Sequence, residues 1–357
     1  MPHCPSWKRS AIALCWARLY IGSVRPADIL CSKPAGLYCA PGDFYIDPMR
    51  PVDRALITHG HSDHARAGHG AVMATRETLA IMAERYGADF AAATQPTAYG
   101  ETHTIGDARV RFAPAGHVLG SAQIVVEAGG VRMVVSGDYK RKRDPTCPLF
   151  EPVPCDVFIS EATFALPVFR HPEPEAEIAK LLRSVAANPE RTHLVGCYAL
   201  GKAQRVIMLL REAGYAKPIY IHGAMEKLCA LYESFGVRLG ELLPATSPTK
   251  KDFAGEIVIA PPSAMADRWS RRFADPVDCF ASGWMRIKQR AKQRGVELPL
   301  VISDHADWDE LTSTVKEIAP GELWITHGRD DALARWAELE GFKARPLHLV
   351  GFEDEDD

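Results

Sequence analysis

The stretch LITHGHSDHARAGH, Leu56 to His69, gathers four histidines and one aspartate behind an apolar run, in a chain with 13 histidines among 357 residues. The preceding residues, RALITHG (Arg54–Gly60), read as a β-strand. In a loop leaving a strand end, side chains spaced H-x-H-x-D-H can converge on a point in front of that end. A divalent ion of borderline softness accepts imidazole nitrogen and carboxylate oxygen together, at about 2.0–2.2 Å. His59, His61, Asp63 and His64 are too many ligands for one tetrahedral or five-coordinate ion. The spacing therefore predicts two ions.

Composition narrows the context. The formal charge is −3 and 24% of residues are charged, so no global positive field advertises a nucleic-acid partner. A polyanion would have to be met by a local basic patch. Nine cysteines are scattered without a CxxC pair, which speaks against a thiolate zinc knuckle or a disulfide framework and for reduced thiols in a cytoplasmic protein. The first residues, MPHCPSWKRSAIALCWARLYIGSV, place a short apolar run after basic residues, but Arg18 interrupts it. It is too short to span a bilayer, and residues 1–24 read as a loosely attached extension, conceivably from an over-early start codon. No other segment approaches transmembrane length.

Beyond that extension the pattern is one of short strands: RVRFAPAGH (Arg109–His117), QIVVEAGG (Gln123–Gly130), VRMVVSGD (Val131–Asp138) and DVFISEATF (Asp156–Phe164). Gly129-Gly130 marks a hairpin. TRETLAIMAERYG is a helix with Thr75 as a cap. After Phe164, helical EPEAEIAKLLRSVAAN, strand THLVGCYAL, strand KPIYIHG, helix MEKLCALYESFG and strand GEIVIAPPS alternate as in a small α/β unit with a parallel sheet. LPLVISDHADW and ELWITHG are later strands, each followed by a helix, and residues 351–357 form an acidic tail. Histidines at the late strand ends match those of the first part. The chain thus divides into 25–164 and 299–350, together one domain, with 165–298 inserted between them.

Two further strand ends supply what the histidine loop lacks. PAGHVLGSAQ sets His117 in a glycine-flanked turn, and VVSGDYKR sets Asp138 at a strand exit, where its two oxygens can bridge two cations. H-x-H-x-D-H, a G-H turn and S-G-D together resemble the metallo-β-lactamase superfamily over residues 43 to 161. That resemblance implies a four-layer αβ/βα sandwich with metals at one edge of the paired sheets. Glu161 in ISEATF, His305 in ISDHADW, His327 in WITHGR and the segment CYALGKAQ (Cys197–Gln204) resemble the β-CASP nucleases, whose α/β insert would be residues 165–298. GLYCAPGDFYIDPMRPVDRALITHGHSDHARAGH, ASGWMRIKQR and SDHADWDEL look like the bacterial ligase-associated DNA-damage-response exonucleases. This subgroup implies an ATP-dependent DNA ligase and a helicase as partners.

Carried over residue by residue, the resemblance gives His59, His61 and His117 to one ion and Asp63, His64 and His327 to the other, with Asp138 touching both. The ions would be zinc, with manganese as the alternative, since nitrogen and oxygen ligands suit either. His305 becomes the proton donor to the leaving oxygen, Glu161 its carboxylate partner, and Asp47 a residue that orients a ligand imidazole from behind. His69, His193 and His222 read as structural or surface residues. Asp304 and Asp307 either hold the His305 loop or serve a turn.

Phosphate contacts are expected from YKRKRD, namely Lys140, Arg141, Lys142 and Arg143, and from RIKQRAKQR, where Arg286, Arg290 and Arg294 would share one helix face. Such contacts make affinity fall steeply with salt. The expected activity is hydrolysis of DNA phosphodiester bonds, as an exonuclease in repair. The alternative is an RNA-processing nuclease, because DNA-acting eukaryotic relatives typically carry an apolar residue where this chain has His327. A non-catalytic scaffold and a small-ester or thioester hydrolase fit less well, because every expected ligand position is filled and the insert and late histidines are present.

Overall fold

The computed structural model describes residues 24–246, 253–328 and 330–349. Six strands lie side by side in chain order in a first sheet: β1 (Leu30–Lys33), β2 (Gly36–Cys39), β3 (Phe44–Ile46), β4 (Arg54–Leu56), β5 (His69–Thr75) and β6 (Ala91–Thr97). The second sheet begins with β7 (Thr102–Ile105), β8 (Ala108–Pro114), β9 (Ala122–Ala128), β10 (Val131–Val135) and β11 (Val157–Ala162). The chain then leaves to build a third sheet from β12 (His193–Gly196), β13 (Ile219–Ile221), β14 (Leu242–Pro244), β15 (Ile257–Ala260), β16 (Val277–Ala281) and β17 (Leu298–Leu300). It returns as β18 (Glu322–Gly328) and β19 (Lys343–Pro346), which extend the second sheet in parallel from β11.

Alternation along the strands sets the layers. Val110, Phe112, Ile124, Val126, Met133 and Val135 of the second sheet share one core with Leu37, Phe44, Ile46 and Leu56 of the first. Their neighbours Val134, Phe158, Leu323 and Ile325 face the other way, against Leu311 and Val315 of helix Trp308–Ile318 and Leu333 of helix Asp330–Leu339. Beyond the first sheet, Ala55, Val72 and Ala74 pack on Leu79 and Met82 of helix Arg76–Tyr86. Helix, sheet, sheet, helix: this is the expected four-layer sandwich. Thr75 does cap its helix, its hydroxyl accepting from the Thr78 N–H.

The third sheet is parallel throughout, as the alternation of elements predicts. One face carries helices Pro174–Ala187, Lys202–Glu212 and Gly223–Ser234. The strands absent from the sequence reading, β1 to β3 and β5 to β7 among them, are short or rich in alanine, glycine and threonine, and so carry little hydrophobic alternation. β4 ends earlier than expected because the Thr58 N–H is taken by the Asp47 carboxylate instead of a ladder partner. Residues 1–23 and 351–357, read as an extension and a tail, lie outside the described residues.

At one edge the first two sheets are pinned together. Ala122 N–H, at the start of β9, donates to the Thr58 carbonyl at 2.8 Å. Gly137 sits against the same threonine with φ 56°, and a Cβ there would lie 2.8 Å from Thr58 Cβ. Both the left-handed backbone and the close approach call for glycine. This brings the loop after β4 and the exit of β10 to the same corner.

Within the basic run Tyr139–Asp144, Lys140 is not the phosphate contact expected of it. Lys140 is 2% exposed, and its ammonium donates to the His305 carbonyl and to Glu310. Arg141 pairs with Glu317, Lys142 with Glu173 and Arg143 with Glu212. A cation buried with its carboxylate is a structural tie, so Lys140 is corrected to that role. The single arginine face is also corrected. The helix spans only Lys288–Gln293, Arg286 belongs to the preceding 3-10 turn, and Arg294 caps the helix. Arg290 instead stacks over Trp284 and Arg294 over Phe280.

Glu310 accepts from Lys140 and from the backbone N–H groups of Arg141, Lys142 and Asp307. Removing it strands a buried ammonium as well as those amides. Glu310→Ala is therefore expected to cost about 3–5 kcal/mol of stability, read from urea unfolding. A loss below about 1 kcal/mol, the usual value for an exposed pair, would contradict the buried tie.

Candidate metal centre

The site is assembled at the pinned corner. The loop after β4 supplies His59, His61, Asp63 and His64, the turn between β8 and β9 supplies His117, and the exit of β10 supplies Asp138. His305 comes from the loop between β17 and helix Trp308–Ile318, and His327 from the end of β18. His327 holds φ 60° and Asp47 φ 44°. Both are left-handed positions that a non-glycine residue keeps only when its surroundings hold it there.

Hydrogen bonds fix which ring nitrogens carry protons. His117 Nδ1 faces the Asp304 carbonyl at 2.9 Å and His61 Nε2 faces the Leu200 carbonyl at 3.2 Å. A carbonyl only accepts, so these nitrogens donate. The Thr58 hydroxyl gives its hydrogen to Asp47 and so accepts from His59 Nδ1 at 3.1 Å. In neutral rings the opposite nitrogens are then lone pairs. Those lone pairs meet: His61 Nδ1 lies 3.2 Å from His59 Nε2 and 3.0 Å from His117 Nε2, with Asp138 Oδ2 3.3 Å from His59 Nε2. Three unprotonated nitrogens and a carboxylate turned on one point fit a divalent cation and little else.

A second group adjoins the first. His64 donates through Nδ1 to Asp47 at 2.8 Å, which turns Nε2 toward Asp63 at 3.3 Å and Asp138 at 3.4 Å. Asp63 Oδ1 is buried with no hydrogen-bond partner. Both groups, His59–His61–His117–Asp138 and Asp63–His64–Asp138, bring their ligand atoms within 4.8 Å of one another, and Asp138 belongs to both. His327 falls outside these groups, although its ring stacks on His64 at 5.1 Å. The arrangement is compatible with divalent ions; it does not choose between metals.

Electrostatics agrees with the donor assignment. Burial, helped by neighbouring imidazoles, lowers His61 to about 4 and His327 to about 4 and holds His117 well below its ordinary value. These rings are neutral near pH 7 and available as ligands. Burial also opposes charge on His64, yet Asp138 and Asp63 pull it well above the usual histidine range. The same negative field that would hold a proton there would hold a cation. Asp47 acts on both groups, accepting from Thr58 N and Thr58 Oγ1 beside His59 and from His64 itself.

His305 forms a distinct pair. Its Nδ1 lies 2.9 Å from Glu161 Oε2, while Glu161 also accepts from the Tyr139 N–H and the Thr163 hydroxyl. Burial opposes the charge on His305, but Glu161 and Asp138 outweigh it and raise the ring to about 10. His305, His61, Asp63, Asp138 and His327 all line one cleft of about 380 Å³. The sequence reading underused Asp304, which receives His117 on its carbonyl and pairs with Lys202 at 3.0 Å. It missed Thr163 and the Leu200 carbonyl. A backbone acceptor leaves no trace in side-chain identity, so Leu200 had no signal to find. Asp307, by contrast, caps helix Trp308–Ile318 in a capping box with Glu310. His69 accepts from Val52 N–H, His193 bonds Ser184, and His222 caps a helix, all structural roles as expected.

Residues 32–195 match the family model described as "Beta-lactamase superfamily domain". Together with the four layers and the histidine–aspartate cluster, this identifies a metallo-β-lactamase-fold domain. The chain is similar to a protein named "Probable DNA ligase" from Opitutus terrae, 28% identical, over 87% of this chain and 30% of that protein. It is 35% identical to "Endoribonuclease ysh-1" of Neurospora crassa over 38% of this chain and 17% of the relative. It is 24% identical to "Cleavage and polyadenylation specificity factor subunit 3-I" of Arabidopsis thaliana over 84% of this chain and 55% of the relative. These relatives fit the β-CASP branch of the fold. The chain spans less than two thirds of each of them. A solved structure described as a protein of unknown function from Enterococcus faecalis superposes with TM-score 0.56 at 13% identity, covering 84% of this chain and 80% of that one, a likeness of fold.

Metal analysis by mass spectrometry checks the site. The wild-type chain is expected to retain about two divalent ions after dialysis, and Asp138→Ala to lose both. Asp47→Ala should keep the fold but weaken metal affinity about 10–100-fold. Full occupancy in Asp138→Ala would refute the shared ligand.

Proposed function

We propose that this chain is a metal-dependent nuclease that hydrolyses phosphodiester bonds. The observation that carries the proposal is the His305–Glu161 pair facing the same cleft as the two ligand groups. Bound divalent ions would supply charge stabilisation for the phosphate and a nucleophile at neutral pH. The chain's own residues do the rest. His59, His61 and His117 would hold one ion, Asp63, His64 and His327 the other, and Asp138 both. Glu161 keeps the His305 ring oriented and charged through Nδ1, leaving Nε2 to give its proton to the leaving sugar oxygen as the P–O bond breaks.

For the polymer we favour DNA, attacked from an end during repair by a cytoplasmic enzyme working with an ATP-dependent ligase and a helicase. Support comes from the Opitutus relative, named "Probable DNA ligase", which aligns with 87% of this chain. RNA is the second reading, favoured by the endoribonuclease-named relatives. Zinc is the favoured ion, manganese the alternative. Among the described residues no helix is long and apolar enough to cross a membrane. Phosphate contacts from the basic residues would fall to the exposed Arg143 and Arg286 and to Arg290 and Arg294, since Lys140 is buried against Glu310.

His305→Ala is the sharpest test. Metal content should stay at the wild-type level while turnover of a labelled oligonucleotide falls about 10²–10⁴-fold. Unchanged turnover would remove His305 from the chemistry. Matched DNA and RNA oligonucleotides, linear and circular, then decide polymer and end dependence; cleavage of circles would overturn an exonuclease.

A further inference from the structure

The cleft over the ligand groups is small and has an uneven lining. At about 380 Å³ it is in the range of sites that enclose one small ligand, on the order of one nucleotide. Tyr198 lines the cleft, 36% exposed although it is a large aromatic. Its backbone is held from several sides. The preceding Cys197 N–H donates to the Ala260 carbonyl, and the Tyr198 carbonyl accepts from Ala203 N–H. Two residues on, the Leu200 carbonyl accepts from His61, a proposed ligand. Gly201 follows at φ 84°, where a Cβ would lie 2.3 Å from Val118 Cγ1, so only glycine fits this close approach. A rigid backbone thus presents an exposed ring beside the metal centre, with the Lys202 ammonium 5.5 Å from its centroid.

The lip formed by the first sheet's helix carries an exposed cation. Arg85 lines the same cleft beside Ser62 and Asp63. Its Nη1 donates to the Gly60 carbonyl at 2.6 Å, which holds the guanidinium over the histidine loop without neutralising it. Among the described residues no carboxylate forms an ion pair with Arg85. In this it differs from Lys140, Arg141, Lys142 and Arg143, each of which meets an acid. Trp284, with Arg290 stacked at 4.1 Å, completes the rim.

We propose that this cleft is a subsite for one unpaired nucleotide next to the scissile bond, in which Tyr198 stacks on the base and Arg85 binds a neighbouring phosphate. The proposal deepens the nuclease reading and rests on it for the position of the scissile bond. An exposed aromatic face is indifferent to base identity, and an arginine fork matches two phosphate oxygens. The chain would therefore accept single strands of any sequence and require a duplex end to fray before it enters.

Binding of the full chain to a short fluorescein-labelled oligothymidylate with phosphorothioate linkages tests this without depending on hydrolysis. A second probe lacks the base at its terminal nucleotide. Tyr198→Ala should bind the first probe about 10-fold or more weakly and the abasic probe as the wild type does, while Tyr198→Phe stays close to wild type on both. Arg85→Gln should weaken both probes. Equal losses for Tyr198→Ala on both probes, or unchanged binding by Arg85→Gln, would overturn the subsite, as would a wild-type chain that binds neither. Tight binding without cleavage of the unmodified oligonucleotide would sink the nuclease reading and leave the subsite standing. Cleavage with Tyr198→Ala unaffected in binding would do the reverse.

Discussion

Lone pairs of buried nitrogens and the charge of a buried carboxylate repel one another, and burying them unpaired is expensive. The corner between the two sheets nevertheless collects three imidazole lone pairs, the shared Asp138 and a second histidine–aspartate group within a few ångströms. Each ring is locked in that orientation by a donor bond on its far side, to Thr58, Leu200, Asp304 or Asp47. Such an arrangement is compatible with a divalent cation among the acceptors, whose charge would offset that repulsion. Much of the architecture around it can be understood as the means of holding those far-side acceptors still.

Those acceptors come from distant parts of the chain. Asp47 and Thr58 follow strands β3 and β4 of the first sheet, Leu200 lies in the loop before helix Lys202–Glu212, and Asp304 in the segment returning from the third sheet. The site is thus the place where the sandwich and the third sheet meet. Packing supports the junction: Ile81 and Leu119 belong to the same core cluster as the helices of the third sheet. Buried ions close it further, with Lys202 on Asp304, Arg205 on Asp144 and Lys140 on Glu310. Buried pairs add little net stability compared with apolar packing, but they penalise any arrangement that separates the partners. Here they hold the His305 loop against the rest.

Spacing, strand ends and resemblance singled out the histidine loop, His117, Asp138, Glu161 and His305, and the structure brings these residues together. The α/β pattern between residues 165 and 298 was legible because helix and strand periods differ and are easily told apart. The basic run after Asp138 misled. Its composition matches a phosphate-binding surface, and only the position of Glu310 discloses that Lys140 is buried in a structural tie. The weak strands β1 to β3 and β5 to β7 escaped because their stability comes from pairing with neighbours rather than from their own alternation.

What the sequence determined by itself was the chemistry: which atoms can bind a cation, which ring can carry a proton, and that they fall at the ends of strands. Ligand identity and local period are properties of single residues and short windows, so one dimension suffices to read them. Tertiary structure decided what depends on long-range contact. It set which nitrogen of each ring points inward, because the acceptors behind them lie up to 187 residues away in the chain. It also decided which cations are spent on carboxylates and which remain at the cleft, because charge is neutralised by neighbours in space and not by neighbours in sequence.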